Sequence, residues 1–233
     1  MSDRLVVITG IGRAGQVGEA LALAFAREGT TVAVIDREAQ MVEERLRDLE
    51  RAGHRARGAV CDLTDPDHTG RVAHELVGDA PLHALVNAAG GFAMSGPVGE
   101  SDVGVWHRQI AISLTTAYVA TRAFMPALRR AKGSIVYFAS AAALPGARVA
   151  EMSAYAVAKT GVLTLMRAVS AEEWKNGVRA NAVAPTSIRT AANVASMGGN
   201  QSYVERESVA ATVVWLCSEA ARDLTGQTIR LGA

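Results

Sequence analysis

Short apolar runs rich in β-branched residues recur along the whole sequence, and they alternate with longer segments in which apolar residues return every three or four positions. The short runs are typical of buried strands, and the longer spacing is typical of helices with one buried face. Strands that alternate with helices predict a parallel sheet. The predicted strands are Leu5–Thr9, Thr31–Asp36, His54–Val60, Leu82–Asn87, Ser134–Ser140, Val178–Ala184 and Gln227–Leu231.

Several of these strands are apolar almost throughout, rather than at alternate positions. Such strands are expected where helices cover both faces of a sheet. The predicted fold class is therefore α/β, with a doubly wound parallel sheet of seven strands and the Rossmann type of architecture. A length of 233 residues suits one such sheet, so we expect a single domain over residues 1–233. We interpret the glycine-containing interval Ala191–Gln201 as a mobile lid, not as a domain boundary.

The charge balance limits the kind of partner that the chain is expected to bind. It has 24 basic and 23 acidic residues without a block of one sign, which argues against nucleic acid and against a charged membrane surface. No apolar stretch approaches the ~20 residues of a membrane span, and no export signal is visible. Neither the two cysteines nor the five histidines have a metal-ligand spacing, so no metal is predicted. These features predict a cytoplasmic protein with a small-molecule partner.

The first predicted strand runs into the glycine-rich stretch TGIGRAGQVG, which precedes a segment with helical spacing. A turn between a strand and a helix directs several main-chain N–H groups, and the positive end of the helix dipole, at one point. We therefore expect Gly10, Gly12, Gly15 and Gly18 to let a pyrophosphate approach the backbone. Asp36, which ends the second strand, is placed to bind a ribose hydroxyl. The alternative is an ordinary turn beside a surface carboxylate.

Tyr155 and Lys159 are four residues apart, so on a helix their side chains leave from one face. An ammonium beside a phenol favours the phenolate, and the spacing predicts that Lys159 lowers the pKa of Tyr155. The pair follows a strand that ends at Ser140. Taken alone, the same spacing also fits an exposed tyrosine that packs along a lysine side chain.

The order of the sequence motifs resembles that of the short-chain dehydrogenase/reductase family over nearly the whole chain. The motifs are TGIGRAGQVG at Thr9–Gly18, CDLTD at Cys61–Asp65, NAAG at Asn87–Gly90, Ser140, YAVAK at Tyr155–Lys159 and NAVAPTSIRT at Asn181–Thr190. The resemblance implies an NAD(P)-dependent oxidoreductase that interconverts a secondary alcohol and a ketone. It also implies a homo-oligomer, most often a tetramer.

The family resemblance assigns catalytic roles to four residues. Tyr155 exchanges a proton with the substrate oxygen, and Lys159 activates Tyr155 and holds the nicotinamide ribose. Ser140 donates a hydrogen bond to the substrate oxygen. Ser113 stands where the family has an asparagine that helps to hold a water beside the lysine, so we expect proton exchange that is slower or differently routed. A dinucleotide-binding sensor or scaffold with weak or no turnover is the alternative.

The same resemblance assigns residues to the cofactor. Asp36 favours NAD, because a carboxylate repels a 2′-phosphate, but the neighbouring Arg37 leaves NADP possible. The glycines, Asp36, Arg37, Tyr155 and Lys159 are all expected to contact the dinucleotide. Further contacts are expected at the pyrophosphate from Gln16 and Val17, and at the adenine from Asp62 and Leu63. The remaining expected contacts are the turn residues Asn87, Ala88, Ala89 and Gly90, and, at the nicotinamide, Pro185, Thr186, Ile188 and Thr190.

One feature departs from the ordinary family pattern. The glycine-rich turn is longer than usual and resembles the turn of enoyl-acyl-carrier-protein reductases, which belong to the same superfamily. This makes an enoyl reductase a third alternative. Those reductases have a wider gap between tyrosine and lysine, so the four-residue gap from Tyr155 to Lys159 argues against that activity.

Overall fold

The computed structural model describes residues 4–232. Its strands are β1 (Leu5–Thr9), β2 (Thr31–Asp36), β3 (Ala56–Val60), β4 (Ala84–Asn87), β5 (Ser134–Phe138), β6 (Arg179–Pro185), β7 (Ile188–Arg189), β8 (Val204–Glu205) and β9 (Thr228–Leu231). Seven of them form one parallel sheet in the order β3-β2-β1-β4-β5-β6-β9, and β7 pairs with β8 separately. The predicted doubly wound α/β fold is confirmed.

The crossovers between the strands are helical. The α-helices are α1 (Val17–Arg27), α2 (Ala39–Arg51), α3 (Pro66–Leu76), α4 (Val103–Gln109), α5 (Thr116–Ala131), α6 (Ser153–Glu173), α7 (Ala191–Met197) and α8 (Arg206–Cys217). A π-helical segment, Ile110–Thr115, joins α4 to α5. No helix among residues 4–232 combines the length and the apolar character that a bilayer crossing requires.

The helices divide the core into two layers, one on each face of the sheet. On one face, α1, α2 and α8 pack against Val6 and Ile8 of β1. On the other face, α3, α5 and α6 pack against Leu5 and Val7 of the same strand. Successive side chains of a strand point to opposite faces, which is why β1 is apolar at every position. Because the strands are parallel, the residues that follow each strand lie at the same edge of the sheet.

The boundaries of some predicted elements differ from the structure. The strand predicted over Ser134–Ser140 ends at Phe138, because Ser140 caps the short 3-10 turn Ala141–Ala143 with its side chain. The short ladder between β7 and β8 is not predicted, since two residues per strand carry no periodic signal.

The interval Ala191–Gln201, interpreted from the sequence as a loose lid, contains helix α7. Thr190 caps this helix by accepting a hydrogen bond from Asn193 N at 3.2 Å. The Ala191 N–H donates to the carbonyl of Gly15 at 3.2 Å, so the helix is also tied to the glycine-rich turn. The interval is therefore ordered helix over most of its length, and its mobility stays a prediction.

Candidate active site

Two cavities lie side by side at the edge where the strands of the sheet end, and both reach Gly90. One of about 410 Å³, which we call the Asp36 cavity, is lined by Asp36, Arg37, Asp62 and Leu63. The other, of about 660 Å³, we call the Tyr155 cavity. The predicted residues that line it are Gln16, Ala88, Gly90, Ser140, Tyr155, Lys159, Pro185, Thr186, Ile188 and Thr190. The strand order reverses between β1 and β4, which is where doubly wound sheets bind dinucleotides.

Gly10 begins the glycine-rich turn with a φ of 67°, in the left-handed region that side chains disfavour. Its N–H donates to the carbonyl of Ile35 at 2.8 Å. A Cβ on Gly10 would lie 2.6 Å from Ala89 N. The main chain of the glycine-rich turn therefore contacts the main chain of the turn that follows β4 without a side chain between them. This surface lines the Asp36 cavity and fits the close approach of a dinucleotide pyrophosphate.

The carboxylate of Asp36 is held by the main chain at the end of β2. Gly12 N donates to Oδ2 at 3.0 Å, and Glu38 N donates to Oδ1 at 3.2 Å. The Arg37 side chain is 70% exposed and pairs with Glu38 at 3.4 Å. Asp36 is therefore fixed at the cavity, whereas the Arg37 guanidinium is engaged at the surface.

Asp62 adds a second carboxylate to the same cavity. Its Oδ1 accepts hydrogen bonds from the Thr64 hydroxyl at 2.7 Å and from the Thr64 N–H at 2.9 Å. These two bonds lower the pKa of the Asp62 carboxyl. The side chain is therefore ionised at neutral pH, and it contributes negative charge to the wall where an adenosine would lie.

Tyr155 lies in the first turn of α6 and lines the same cavity as Ser140, whose side chain is close enough to lower the pKa of the phenol. The Ser140 Oγ accepts a hydrogen bond from Ala142 N at 3.2 Å, which leaves its own proton available to donate. The ring of Phe92 packs edge-on against Tyr155, with ring centroids 5.0 Å apart and an interplanar angle of 84°. Phe92 thus packs against the phenol ring from one side.

Lys159 follows one turn later on α6 and is 6% exposed. Its Nζ donates a hydrogen bond to the carbonyl of Phe138, at the end of β5, at 2.8 Å. Burial lowers the pKa of Lys159 to about 8. The ammonium is therefore close to its titration point near neutral pH, which is unusual for a lysine.

The predicted effect of Lys159 on Tyr155 is wrong for this structure. Burial raises the pKa of the Tyr155 phenol, and the Ser140 side chain opposes that rise. The Lys159 Nζ lies 6.0 Å from the centroid of the tyrosine ring and donates its hydrogen bond to the carbonyl of Phe138. The four-residue spacing places both side chains on one helix face but does not fix where the ammonium points.

Ser113 lies in the π-helical segment and is 1% exposed. Its Oγ has no hydrogen-bond partner within the part of the chain that the structure describes. A Cβ on Gly90 would lie 3.4 Å from this Oγ and 3.1 Å from Lys159 Nζ. The Ser113 Oγ and the Lys159 Nζ therefore both border the space beside Gly90, and the role of Ser113 stays a prediction.

The far wall of the Tyr155 cavity is made by the chain after β6, with Pro185, Thr186, Ile188 and Thr190. Asn193 of α7 also lines it and donates from its side-chain amide to the carbonyl of Ile188 at 2.8 Å. Helix α7 therefore closes one side of the cavity.

The loop that carries Phe92 is attached to the chain just before α6. The N–H groups of Ser95 and Gly96 donate to the carbonyl of Glu151 at 2.7 and 3.1 Å. Glu151 has a φ of 61°, a strained value for a residue with a side chain. The main chain of Glu151 therefore holds the Phe92 loop in place.

Some residues expected at the cofactor line neither cavity. A Cβ on Gly18 would lie 2.7 Å from the carbonyl carbon of Ile11, so Gly18 allows α1 to pack under the turn. Asn87 is buried and donates to the Thr121 hydroxyl at 3.1 Å, so its side chain holds the end of β4 instead of lining a cavity. Gly15 and Val17 are also outside both cavities.

The structure also adds residues that the sequence did not single out. Arg108 lines the Asp36 cavity, and Asn193 lines the Tyr155 cavity. Gln109, at the end of α4, is 2% exposed, and its Oε1 has no hydrogen-bond partner among the described residues. A lone glutamine in a helical segment gives no signal of its own, because only the packing reveals that it is buried.

Comparisons with known proteins agree with this geometry. A family model described as enoyl-(acyl carrier protein) reductase matches residues 10–232. The chain is 34% identical to 2-(S)-hydroxypropyl-CoM dehydrogenase 3 of Xanthobacter autotrophicus, over 97% of this chain and 95% of that protein.

Solved structures give the same result. A short-chain type dehydrogenase/reductase from Mycobacterium ulcerans superimposes with a TM-score of 0.91 at 27% identity, over 99% of this chain and 88% of that one. An NAD(P)-dependent gluconate 5-dehydrogenase, as it is described, from Beutenbergia cavernae with NADP bound at low occupancy superimposes with a TM-score of 0.87 at 31% identity, over 99% of this chain and 95% of that one. The chain therefore belongs to the short-chain dehydrogenase/reductase family of oxidoreductases.

Proposed function

We propose that this protein is an NAD(P)-dependent dehydrogenase that interconverts a secondary alcohol and a ketone, with NAD as the preferred cofactor. The observation that carries the proposal is that Ser140, Tyr155 and Lys159 line one cavity, which adjoins the glycine-rich turn. The relatives named as dehydrogenases support the same reaction class.

In this mechanism, the bound dinucleotide supplies or accepts the hydride. During oxidation, Tyr155 acts in its phenolate form and takes the hydroxyl proton of the alcohol, while the carbon–hydrogen bond breaks and its electron pair leaves with the hydride. The Ser140 hydroxyl donates to the substrate oxygen and stabilises the charge that develops there. The Lys159 ammonium provides positive charge nearby. During reduction each step runs in reverse, and the phenol gives its proton to the new alkoxide.

The walls of the cavity orient the substrate. Phe92 is 59% exposed and Met94 is 49% exposed, so each offers apolar surface that a bound substrate would cover. Gln16, Asn193 and Ser196 supply polar groups around the same space. This mixture favours a small alcohol with both apolar and polar parts.

The activity can be tested directly. We expect the purified protein, mixed with NAD and a panel of secondary alcohols, to increase the absorbance of reduced nicotinamide, and to decrease it with NADH and the matching ketones. The same assay with primary alcohols and with enoyl thioesters serves as a specificity control. Saturable dinucleotide binding by calorimetry without turnover on any panel member would reject the proposed activity.

The preference for NAD follows from the fixed carboxylate of Asp36. A 2′-phosphate would lie against that carboxylate, and we expect the KM for NADP to exceed the KM for NAD by at least about tenfold. Asp36→Asn keeps the side-chain size and removes the charge, so it should reduce this ratio by about tenfold. Asp67→Asn, at an exposed acid in α3, is the matched control. A tenfold advantage for NADP in the wild-type protein would contradict the assignment.

A second candidate is a dinucleotide-binding sensor or scaffold with little turnover. It is favoured by Ser113, whose Oγ has no partner among the described residues where the family has an amide. The description of the matching family model keeps enoyl reduction as a further alternative, against which the four-residue tyrosine–lysine gap argues. The substrate panel above separates all three activities.

We also propose a homo-oligomer, with a tetramer favoured by the family resemblance. Val149 and Val157 support an interface beside α6, since they are 40% and 47% exposed along an apolar groove. A cytoplasmic location stays a prediction of the sequence.

A further inference from the structure

Gly15, in the lengthened glycine-rich turn, lines neither of the two cavities. Its N–H donates to Glu19 Oε2 at 2.8 Å, and its carbonyl accepts from the N–H of Ala191 at 3.2 Å. Both main-chain groups are therefore bonded to other parts of the chain, one to a side chain of α1 and the other to the start of α7. At Gly15 the turn thus connects elements of the fold instead of facing the space for the dinucleotide.

Glu19 lies in the first turn of α1, and its carboxylate is shared by several elements. Besides the Gly15 N–H, it accepts hydrogen bonds from Arg206 Nη1 at 2.5 Å and from Arg45 Nη1 at 3.2 Å. Arg206 is the first residue of α8, and Arg45 lies in α2. Burial alone would raise the pKa of Glu19, but the Gly15 N–H and the two arginines outweigh it, so the pKa is lowered. The carboxylate is therefore charged at neutral pH.

The chain between these two attachments forms one wall of the Tyr155 cavity. We call residues 188–205 the wall segment; its ends are joined by the ladder between β7 and β8, and Asn193 in its middle lines the cavity. The glycine-rich turn holds the wall segment at Ala191. Glu19 holds Arg206, the residue that directly follows it. The wall segment is thus attached to the turn and to α1 near both of its ends.

The buried guanidinium of Arg45 keeps Glu19 in this position. The Arg45 side chain is 1% exposed, and its Nη1 bonds to Glu19 and to Asp48, the latter at 2.9 Å. Its Nε and Nη2 have no hydrogen-bond partner among residues 4–232. Because a buried charge that loses an acidic partner is strongly destabilised, Glu19 is held between the turn and α8.

We propose that Glu19 is a positioning residue, which makes dinucleotide binding at the glycine-rich turn and the placement of the wall segment depend on each other. The inference rests on the proposed function, since it takes the turn as the pyrophosphate site and the Tyr155 cavity as the place of the reaction. A pyrophosphate at the N-terminus of α1 fixes the turn. A fixed turn favours one placement of the wall segment through Gly15 and Glu19, so the two sites share a coupling free energy.

The first test removes the charge of Glu19. Glu19→Gln keeps the side-chain size and an oxygen that accepts a hydrogen bond from Gly15. We expect the Kd for NADH, measured by fluorescence titration, to rise about tenfold. Glu207→Gln is the matched control, because Glu207 accepts from Arg206 Nε at 2.8 Å but is 63% exposed and has no hydrogen bond to the turn among the described residues. It should leave the Kd within about twofold of the wild-type value.

A second variant removes the same ion pair from the side of α8. Arg206 is 28% exposed, so Arg206→Gln leaves no buried charge without a partner and tests the proposal even if Glu19→Gln fails to fold. It should raise the Kd for NADH about fivefold, and the double variant should bind NADH no more weakly than Glu19→Gln alone. A double variant weakened by the product of both effects, about fiftyfold, would show independent residues and overturn the proposal.

Hydrogen exchange separates positioning from a general loss of stability. In cofactor-free protein, Glu19→Gln should speed exchange in peptides from α7 by about fivefold, while peptides from β5 keep the wild-type rate. NADH should slow exchange of α7 in the wild-type protein and slow it less in the variant. A lower Tm with faster exchange in every element, and with an unchanged Kd for NADH, would assign Glu19 a purely structural role and overturn the proposal.

The outcomes also separate this inference from the proposed function. A wild-type protein that binds NADH but oxidises no alcohol rejects the proposed function, and the effects of Glu19→Gln on Kd and exchange still decide the positioning role because neither needs turnover. A wild-type protein with turnover, whose Kd for NADH stays within about twofold on Glu19→Gln, keeps the proposed function and overturns the role of Glu19. A wild-type protein that does not bind NADH overturns both.

Discussion

Replacing Tyr155 by phenylalanine is expected to lower kcat by about a thousandfold, because proton transfer by a positioned side chain contributes on the order of 10²–10⁴ to rate. The substitution removes the hydroxyl, which shares a cavity with Ser140, and keeps the ring that packs edge-on against Phe92. The cavity should therefore keep its shape, and the Kd for NADH should stay within about twofold of the wild-type value. Steady-state kinetics and calorimetry on the same protein preparation measure both quantities.

Tyr118→Phe is the matched control, since Tyr118 is 54% exposed on α5 and contacts neither cavity. It should leave kcat and NADH affinity unchanged. If Tyr155→Phe turned over alcohol at the wild-type rate, Tyr155 would not be the acid or base of the reaction. If it lost NADH binding together with turnover, the substitution would have disturbed the cofactor site, and the proposed assignment of the proton transfer to Tyr155 would fail.

The burial of Tyr155 explains why the pKa predicted for it from the sequence is wrong in sign. From the four-residue spacing, proximity of Lys159 is a sound prediction, and the structure places both side chains on the same face of α6. The sign of the pKa shift depends on burial and on the direction of the ammonium, neither of which the spacing contains. Burial raises the phenol pKa, while the Lys159 Nζ bonds to Phe138.

The fold was predictable because its signals are periodic and repeat along the chain. Apolar runs such as Thr31–Asp36, followed by the amphipathic segment of α2, define a strand and a covering helix without knowledge of the rest. Elements of two residues, such as β7, carry no period and are held by pairing with a distant strand. The same limit applies to the end of β5, where the Ser140 side chain ends the strand by capping a turn.

The candidate site was predictable where residue type alone restricts the chemistry. Few other functions require a glycine-rich turn, an acid at the end of the second strand and then a serine, a tyrosine and a lysine in this order. The Asp36 cavity is lined by Gly10, Gly12 and Asp36, and the Tyr155 cavity is lined by Ser140, Tyr155 and Lys159. Gln109 was not predictable, because a glutamine on a helix is ordinarily exposed. Its burial is a property of how α4 packs against its neighbours, which the sequence of the helix does not contain.

Replacing Gly10 by alanine should damage both stability and dinucleotide binding. The new Cβ would lie 2.6 Å from Ala89 N, and the residue would have to keep a φ of 67°. Backbone strain and overpacking together are expected to cost about 3 kcal/mol of unfolding free energy, which corresponds to a decrease in Tm of roughly 6–12 °C for a domain of this size. Because relief of the clash displaces the turn, we expect NADH binding to become too weak to detect in a fluorescence titration.

Gly29→Ala separates the steric effect from the backbone effect. Gly29 has a φ of 76°, similar to that of Gly10, but a Cβ there would meet nothing within 4 Å. It should cost only the left-handed backbone penalty of about 1 kcal/mol, a decrease in Tm of roughly 2–4 °C, and it should leave NADH binding unchanged. If Gly10→Ala were no more destabilising than Gly29→Ala and still bound NADH, the contact between the glycine-rich turn and Ala89 would not be what shapes the dinucleotide site. Glycine would then be required at position 10 only because of its φ. The shape of the pyrophosphate-binding surface in the Asp36 cavity would have to depend on other residues.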